Sequence, residues 1–138
     1  MRLVFIAAAL SILGAAAAPA AETARPSQTA CDTARLGARD LAECLRGAAE
    51  KAERDLRTTV EAAFKSIDQR QGLMSSQKGR WRRSLTEAQS LWAGWRDSEC
   101  QDVAPFEAGM AAKGGDPRLA CIIDADDART ASLRARYP

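Results

Sequence analysis

The chain has no histidine, which removes the usual general base, the commonest protein metal ligand and any switch that titrates near neutral pH. Neither a Ser-His-Asp nor a Cys-His set can be assembled from these residues. Carboxylates and lysines remain, but no spacing singles out a working pair. No catalytic residue is assigned, and catalysis is not expected. Aromatics are scarce, seven in 138 residues, yet three of them are tryptophan. Sustained two-residue alternation is missing too, so strands are not expected.

What is present begins with an export address. Met1-Arg2 gives a short positive start, Leu3 to Ala18 is uncharged and apolar, and Ala18-Pro19-Ala20 has the small-x-small form that a signal peptidase accepts. The apolar run is shorter than the roughly 20 residues of a spanning helix. We therefore expect residues 1–20 to be a signal peptide, with no transmembrane anchor after cleavage and a periplasmic or secreted product. No cysteine follows Ala20 directly, which argues against a lipid anchor. Loss of Arg2 lowers the net charge from +2 to +1. So even a balance gives no general argument for nucleic acid or anionic membrane as partner.

Four cysteines, Cys31, Cys44, Cys100 and Cys121, form an even set in an exported small domain, which reads as a disulfide framework. Gaps of 12, 55 and 20 residues separate them. A zinc site brings its ligands in close pairs such as C-x2-C, so no metal or other cofactor is expected.

Residues 21–39 show no periodicity and read as a flexible lead-in carrying the first cysteine; residues 40–138 read as the helical domain. Asp40-Leu41-Ala42-Glu43 has the form of a capping box. Leu41, Leu45, Ala48, Ala52, Leu56, Val60, Ala63, Phe64 and Ile67 then recur at three- and four-residue steps, predicting a first helix over about 41–67. Gly72 and Ser75-Ser76 mark the turn out of it. The second helix starts near Gln77 rather than at the capping box Ser84–Glu87, because Trp81 already belongs to its stripe of Leu85, Ala88, Trp92 and Trp95. It ends near Cys100, and residues 101–115, with Pro105, Gly109 and Gly114-Gly115, read as a long loop. Asp116-Pro117 is an N-cap followed by a first-turn proline, opening a third helix to about Tyr137.

The expected fold is all-α, an antiparallel three-helix bundle stapled by two disulfides. An up-down-up path puts all four cysteines at one end, so geometry leaves three pairings open. Cys31–Cys44 with Cys100–Cys121 is favoured, each closing a short loop for about 3 kcal/mol in the chain-entropy model.

The stretch Leu85 to Cys100 resembles the LprI-like lysozyme inhibitor family, whose motif has the form L-x3-Q-x2-W-x2-[YW]-R-D-x2-C. Leu85, Gln89, Trp92, Trp95, Arg96, Asp97 and Cys100 match it, and Cys121, Arg129 and Leu133 continue the likeness. Departures lie upstream, where Leu36-Gly37 replaces the family's Thr-Gln and Leu56-Arg57 with Val60 replaces Leu-Asn-x2-Tyr. The resemblance implies an exported helical protein that binds a lysozyme rather than catalysing a reaction.

Periodicity places Trp92 and Trp95 in the core, the alternative being exposed partner anchors. Arg96 and Asp97 point about 100° apart and need not pair. Lysozymes of the common animal type are basic, so a steered inhibitor should meet them with acids. Asp124, Asp126 and Asp127, with the 101–115 loop, are the candidate binding residues. A second candidate partner is an anionic envelope component, lipid or wall polymer, facing the cluster Lys65, Arg70, Lys78, Arg80, Arg82 and Arg83.

Overall fold

A computed structural model describes residues 24–109 and 115–138. The signal-peptide reading of residues 1–20 therefore lies outside the described residues, as does residues 110–114 of the expected loop. Among the described residues the structure is helical with no strand. In chain order come α1 (Pro26–Ala30), α2 (Ala38–Gln69), α3 (Ser75–Ser98), a π-helical turn (Glu99–Val103), α4 (Ala104–Ala108) and α5 (Pro117–Arg136).

The expectation of three helices is thus corrected: beside the three long helices stand a short helix before the first, and a π turn with a second short helix after α3. The long helices do alternate in direction. Asp68 near the end of α2 pairs with Arg82 near the start of α3, while Trp81 on α3 bonds Tyr137 just past the end of α5. α5 runs parallel to α2, its start beside Leu41 and Leu45 and Leu133 beside Ala63 and Ile67.

The stripe read for the first helix is the buried stripe of α2, with Leu41, Leu45, Ala52, Leu56, Ala63 and Ile67 all inside. Thr59 is buried too, its hydroxyl donating to the Asp55 carbonyl at 2.8 Å. The start differs from expectation. Gly37 is the N-cap, so Asp40 lies inside the first turn, where its charge favours the helix dipole without capping it. α5 starts as read: Asp116 accepts from the Arg118 backbone N–H at 3.0 Å, with Pro117 in the first turn.

Two apolar clusters hold the long helices together. Cys31, Leu41, Leu45, Ala49 and Ile123 fill the disulfide end; Leu56, Ala63, Ile67, Leu85 and Leu133 fill the other. Each fully buried leucine contributes about 1.5–3 kcal/mol. Gly115 sits at the closest approach, at φ +81°, and a Cβ there would meet Leu45 Cδ1 at 2.8 Å. Only glycine suits both conditions.

Past Cys100 the expected loop is also corrected. The backbone stays right-handed helical through Ala108, and the Ala104 N–H reaches the Glu99 carbonyl across a π turn. Pro105 explains the wider turn. A proline cannot donate to the residue four back and clashes with its carbonyl, and a π turn moves that carbonyl aside. Pro105 therefore widens the helix where the sequence suggested a stop, and α3, the π turn and α4 form one run.

Residues 26–30, within the expected flexible lead-in, are helical. Asp124 holds them, accepting from the Ser27 backbone N–H at 2.8 Å and from the Ser27 hydroxyl at 3.1 Å. Cys31 then ties the segment to α2.

Candidate functional site: the inner and outer sides of the third long run

The disulfides are Cys31–Cys44 and Cys100–Cys121, the favoured pairing. The second begins a ladder that runs the length of α3 and α5. Next to it, Arg96 Nη1 donates to Asp126 Oδ1 at 2.9 Å. One step further, Arg129 Nε donates to Gln89 Oε1 at 3.0 Å. Leu85 and Leu133 pack in one cluster beyond that, and Trp81 Nε1 meets the Tyr137 hydroxyl at 3.2 Å at the far end. Between the two arginine rungs stands Trp92, with Arg96 5.6 Å and Arg129 5.5 Å from its ring centre. Cation–π contacts of this kind contribute about 0.5–2 kcal/mol each, more where water is excluded.

Of the two arginine rungs, that between Arg96 and Asp126 is the more deeply buried. Asp126 has no exposed surface, and the Arg96 side chain keeps 15%. Burial pushes the Asp126 carboxyl above the ordinary carboxylate range, against the pull of Arg96. Arg96 is raised as well: burial alone would lower it, but its bonds to Asp126 and Asp97 outweigh that. Asp97 accepts from Arg96 Nε at 3.0 Å and Nη2 at 2.7 Å, so these neighbours do pair, a long arginine spanning the angle between them. Burial also lowers Arg129. Removing water from such groups is costly; Arg96 and Arg129 each find an acceptor across the seam, while the second carboxylate oxygen of Asp126, Oδ2, is buried with no hydrogen-bond partner among the described residues.

The inner stripe of α3 is therefore Trp81, Leu85, Gln89, Trp92 and Arg96, continued by Cys100 in the π turn. The sequence suggested Ala88 and Trp95 in place of Gln89 and Arg96. Trp95 is corrected: it is 55% exposed, and Leu91, one turn earlier, is 70% exposed. Hydropathy misread the stripe because its two polar members are satisfied from α5. The spacing of the motif residues Leu85, Gln89, Trp92, Arg96 and Cys100, at steps of four, three, four and four, carried the correct seam all along.

The candidate binding acids need correction as well. Asp126 is sealed inside, and Asp124 is occupied by Ser27, so neither stands free for a partner. Asp127 is only half-buried. Within residues 101–115, the other part of the candidate binding region, the structure exposes apolar side chains on a helical surface. Val103 is 39% and Phe106 86% exposed on the π turn and α4. From Glu87 to Ala108 the one cation is Arg96, which is turned inward, whereas Asp97, Glu99, Asp102 and Glu107 are all acids. The signal for it was Phe106 next to Pro105, an aromatic in a segment with no cation.

The described residues hold no group of three or more acids and cysteines placed to bind a metal, and no helix among them is long and apolar enough to cross a membrane. The ladder and cystines define a class: a small all-helical domain locked at one end by two disulfides and along one helix pair by alternating polar and apolar rungs. Sequence comparison supplies the family. The LprI family model, described as lysozyme inhibitor LprI, matches residues 29–133, and the chain belongs to that family. An inhibitor family implies a binding role rather than catalysis. No curated protein and no solved structure gives a match.

Proposed function

We propose that this protein is exported, cleaved after Ala20, and inhibits a lysozyme by binding it with the outer side of the run from Leu91 to Glu107. Family membership supports the activity, and the two disulfides support an oxidising compartment. The observation that carries the choice of surface is Trp95. Every other motif residue in α3 has a partner inside the fold, while Trp95 faces solvent beside Leu91. Tryptophan is among the residues that dominate binding hot spots, and a pre-ordered helix loses little entropy on docking.

Glu99, Asp102 and Glu107 surround Val103 and Phe106 at the rigid end and suit a basic enzyme, steering it from a distance and setting orientation. They replace Asp124 and Asp126 in that role. The test is a muramidase assay on purified peptidoglycan, titrating the mature protein at two salt concentrations. Asp102→Asn with Glu107→Gln should weaken inhibition and flatten its salt dependence. Phe106→Ser should raise the half-inhibitory concentration about tenfold or more, with unchanged melting. No inhibition at high micromolar excess across several basic lysozymes overturns the activity. Full inhibition by both variants overturns the surface.

A further inference from the structure

The opposite end of the molecule has a different chemistry. The turn from Arg70 to Met74 joins α2 to α3, with Gly72 at φ +76° allowing the chain to reverse. Met74 stands 66% exposed at its tip. Around it the fold gathers Lys65 from the last turns of α2, Arg70 from the turn, Lys78, Arg80 and Arg83 from the start of α3, and Arg136 from the end of α5. The last of these comes from a helix distant in sequence. Among the described residues the one ion pair here is Arg82 with Asp68, at 2.6 Å.

Six further cations exceed the net charge of +2 carried by the whole chain, so the rest of the molecule is net acidic. Near-neutral composition hides a strongly polar charge distribution. Cations near the start of α3 also oppose its dipole, Lys78 most directly and by at most a few tenths of a kcal/mol, so helix stability does not explain them.

We propose that this tip docks end-on against an anionic phospholipid surface. Met74 would enter the boundary between headgroups and acyl chains, while the surrounding arginines and lysines meet phosphates, their stems lying along the apolar layer. An exposed apolar side chain at the same end as these cations favours a bilayer over a charged polymer, which offers Met74 nothing. The negative surface of the membrane attracts the tip and repels the acidic remainder, so charge alone selects this orientation. α3 is about 36 Å long at 1.5 Å per residue, and docking by the tip holds the Trp95–Phe106 surface well away from the lipid.

Sedimentation with vesicles tests this, using the full mature chain with phosphatidylglycerol-containing vesicles and with pure phosphatidylcholine vesicles. Lys65, Arg80 and Arg83 make no ion pair among the described residues, so Lys65→Gln, Arg80→Gln and Arg83→Gln together spare the fold. At about fivefold per cation, that triple variant should lower partitioning onto anionic vesicles about a hundredfold. Met74→Ser should lower it severalfold at equal charge. Equal binding to neutral vesicles, unchanged binding of the triple variant, or retention by purified wall polymer with none by vesicles overturns the proposal. The triple variant should inhibit lysozyme as well as the unmodified chain does, so failure of either reading leaves the other standing.

Discussion

The two sides of α3 divide the work of the molecule. Toward α5, tryptophan, glutamine, arginine and cysteine are each tied to a partner across the seam. Away from it, Leu91 and Trp95 touch little of the fold. Composition does not separate these sides cleanly, since each carries a tryptophan and the inner side includes a glutamine and an arginine. A partner is what separates them: polar groups go inside where α5 satisfies them, and apolar groups stay outside where nothing in the chain covers them.

The sharpest way to break the contrast is to remove the partner of the innermost charge. Arg96→Met leaves Asp126 buried and uncompensated, which should destabilise the protein by about 3–5 kcal/mol in denaturant unfolding at neutral pH. The variant should also gain stability on acidification. The folded Asp126 carboxyl has its affinity for a proton raised by burial, and more so without Arg96. Between the ordinary carboxylate value of 3.8 and that raised value the native state binds the extra proton, so stability falls as pH rises through this window. A flat pH profile would show that Asp126 is not sealed in.

Next in size is the rung at the end of the ladder. Cys100→Ser with Cys121→Ser should cost about 3 kcal/mol, from a loop of 21 residues no longer constrained in the unfolded chain. Thiol labelling of the unmodified protein under denaturing conditions should find no free cysteine. Smaller again, Gly115→Ala should cost about 1–3 kcal/mol, combining a left-handed backbone with crowding against Leu41 and Leu45. A thermal melt within error of the unmodified chain would place α5 further from α2 than described.

How much of this was legible beforehand differs by element. α2 buries a plain apolar stripe against α5, and periodicity located it to within a few residues. Asp116-Pro117 announced the start of α5 because capping chemistry is local. The seam of α3 was hidden from hydropathy, since Gln89 and Arg96 are inside only by virtue of Arg129 and Asp126, thirty to forty residues away. Pro105 misled in the same manner: a local rule reads it as a stop, and the π turn that absorbs it depends on backbone geometry that sequence does not display. The acids at 124–127 were read as a charged surface, but Asp126 and Asp124 serve Arg96 and Ser27. The basic tip was half visible, its α2–α3 members being contiguous, while Arg136 joins them only through the fold.

The division between the sides of α3 is tested most directly by two tryptophan variants measured in parallel for melting and for muramidase inhibition. Trp92→Ala should destabilise by about 3 kcal/mol, because it empties the space between two arginines. Trp95→Ser should melt within about 0.5 kcal/mol of the unmodified protein and lose inhibition at least tenfold. If Trp95→Ser unfolds the protein, or if it inhibits as well as the unmodified chain does, the outer side is not the binding side and the account fails.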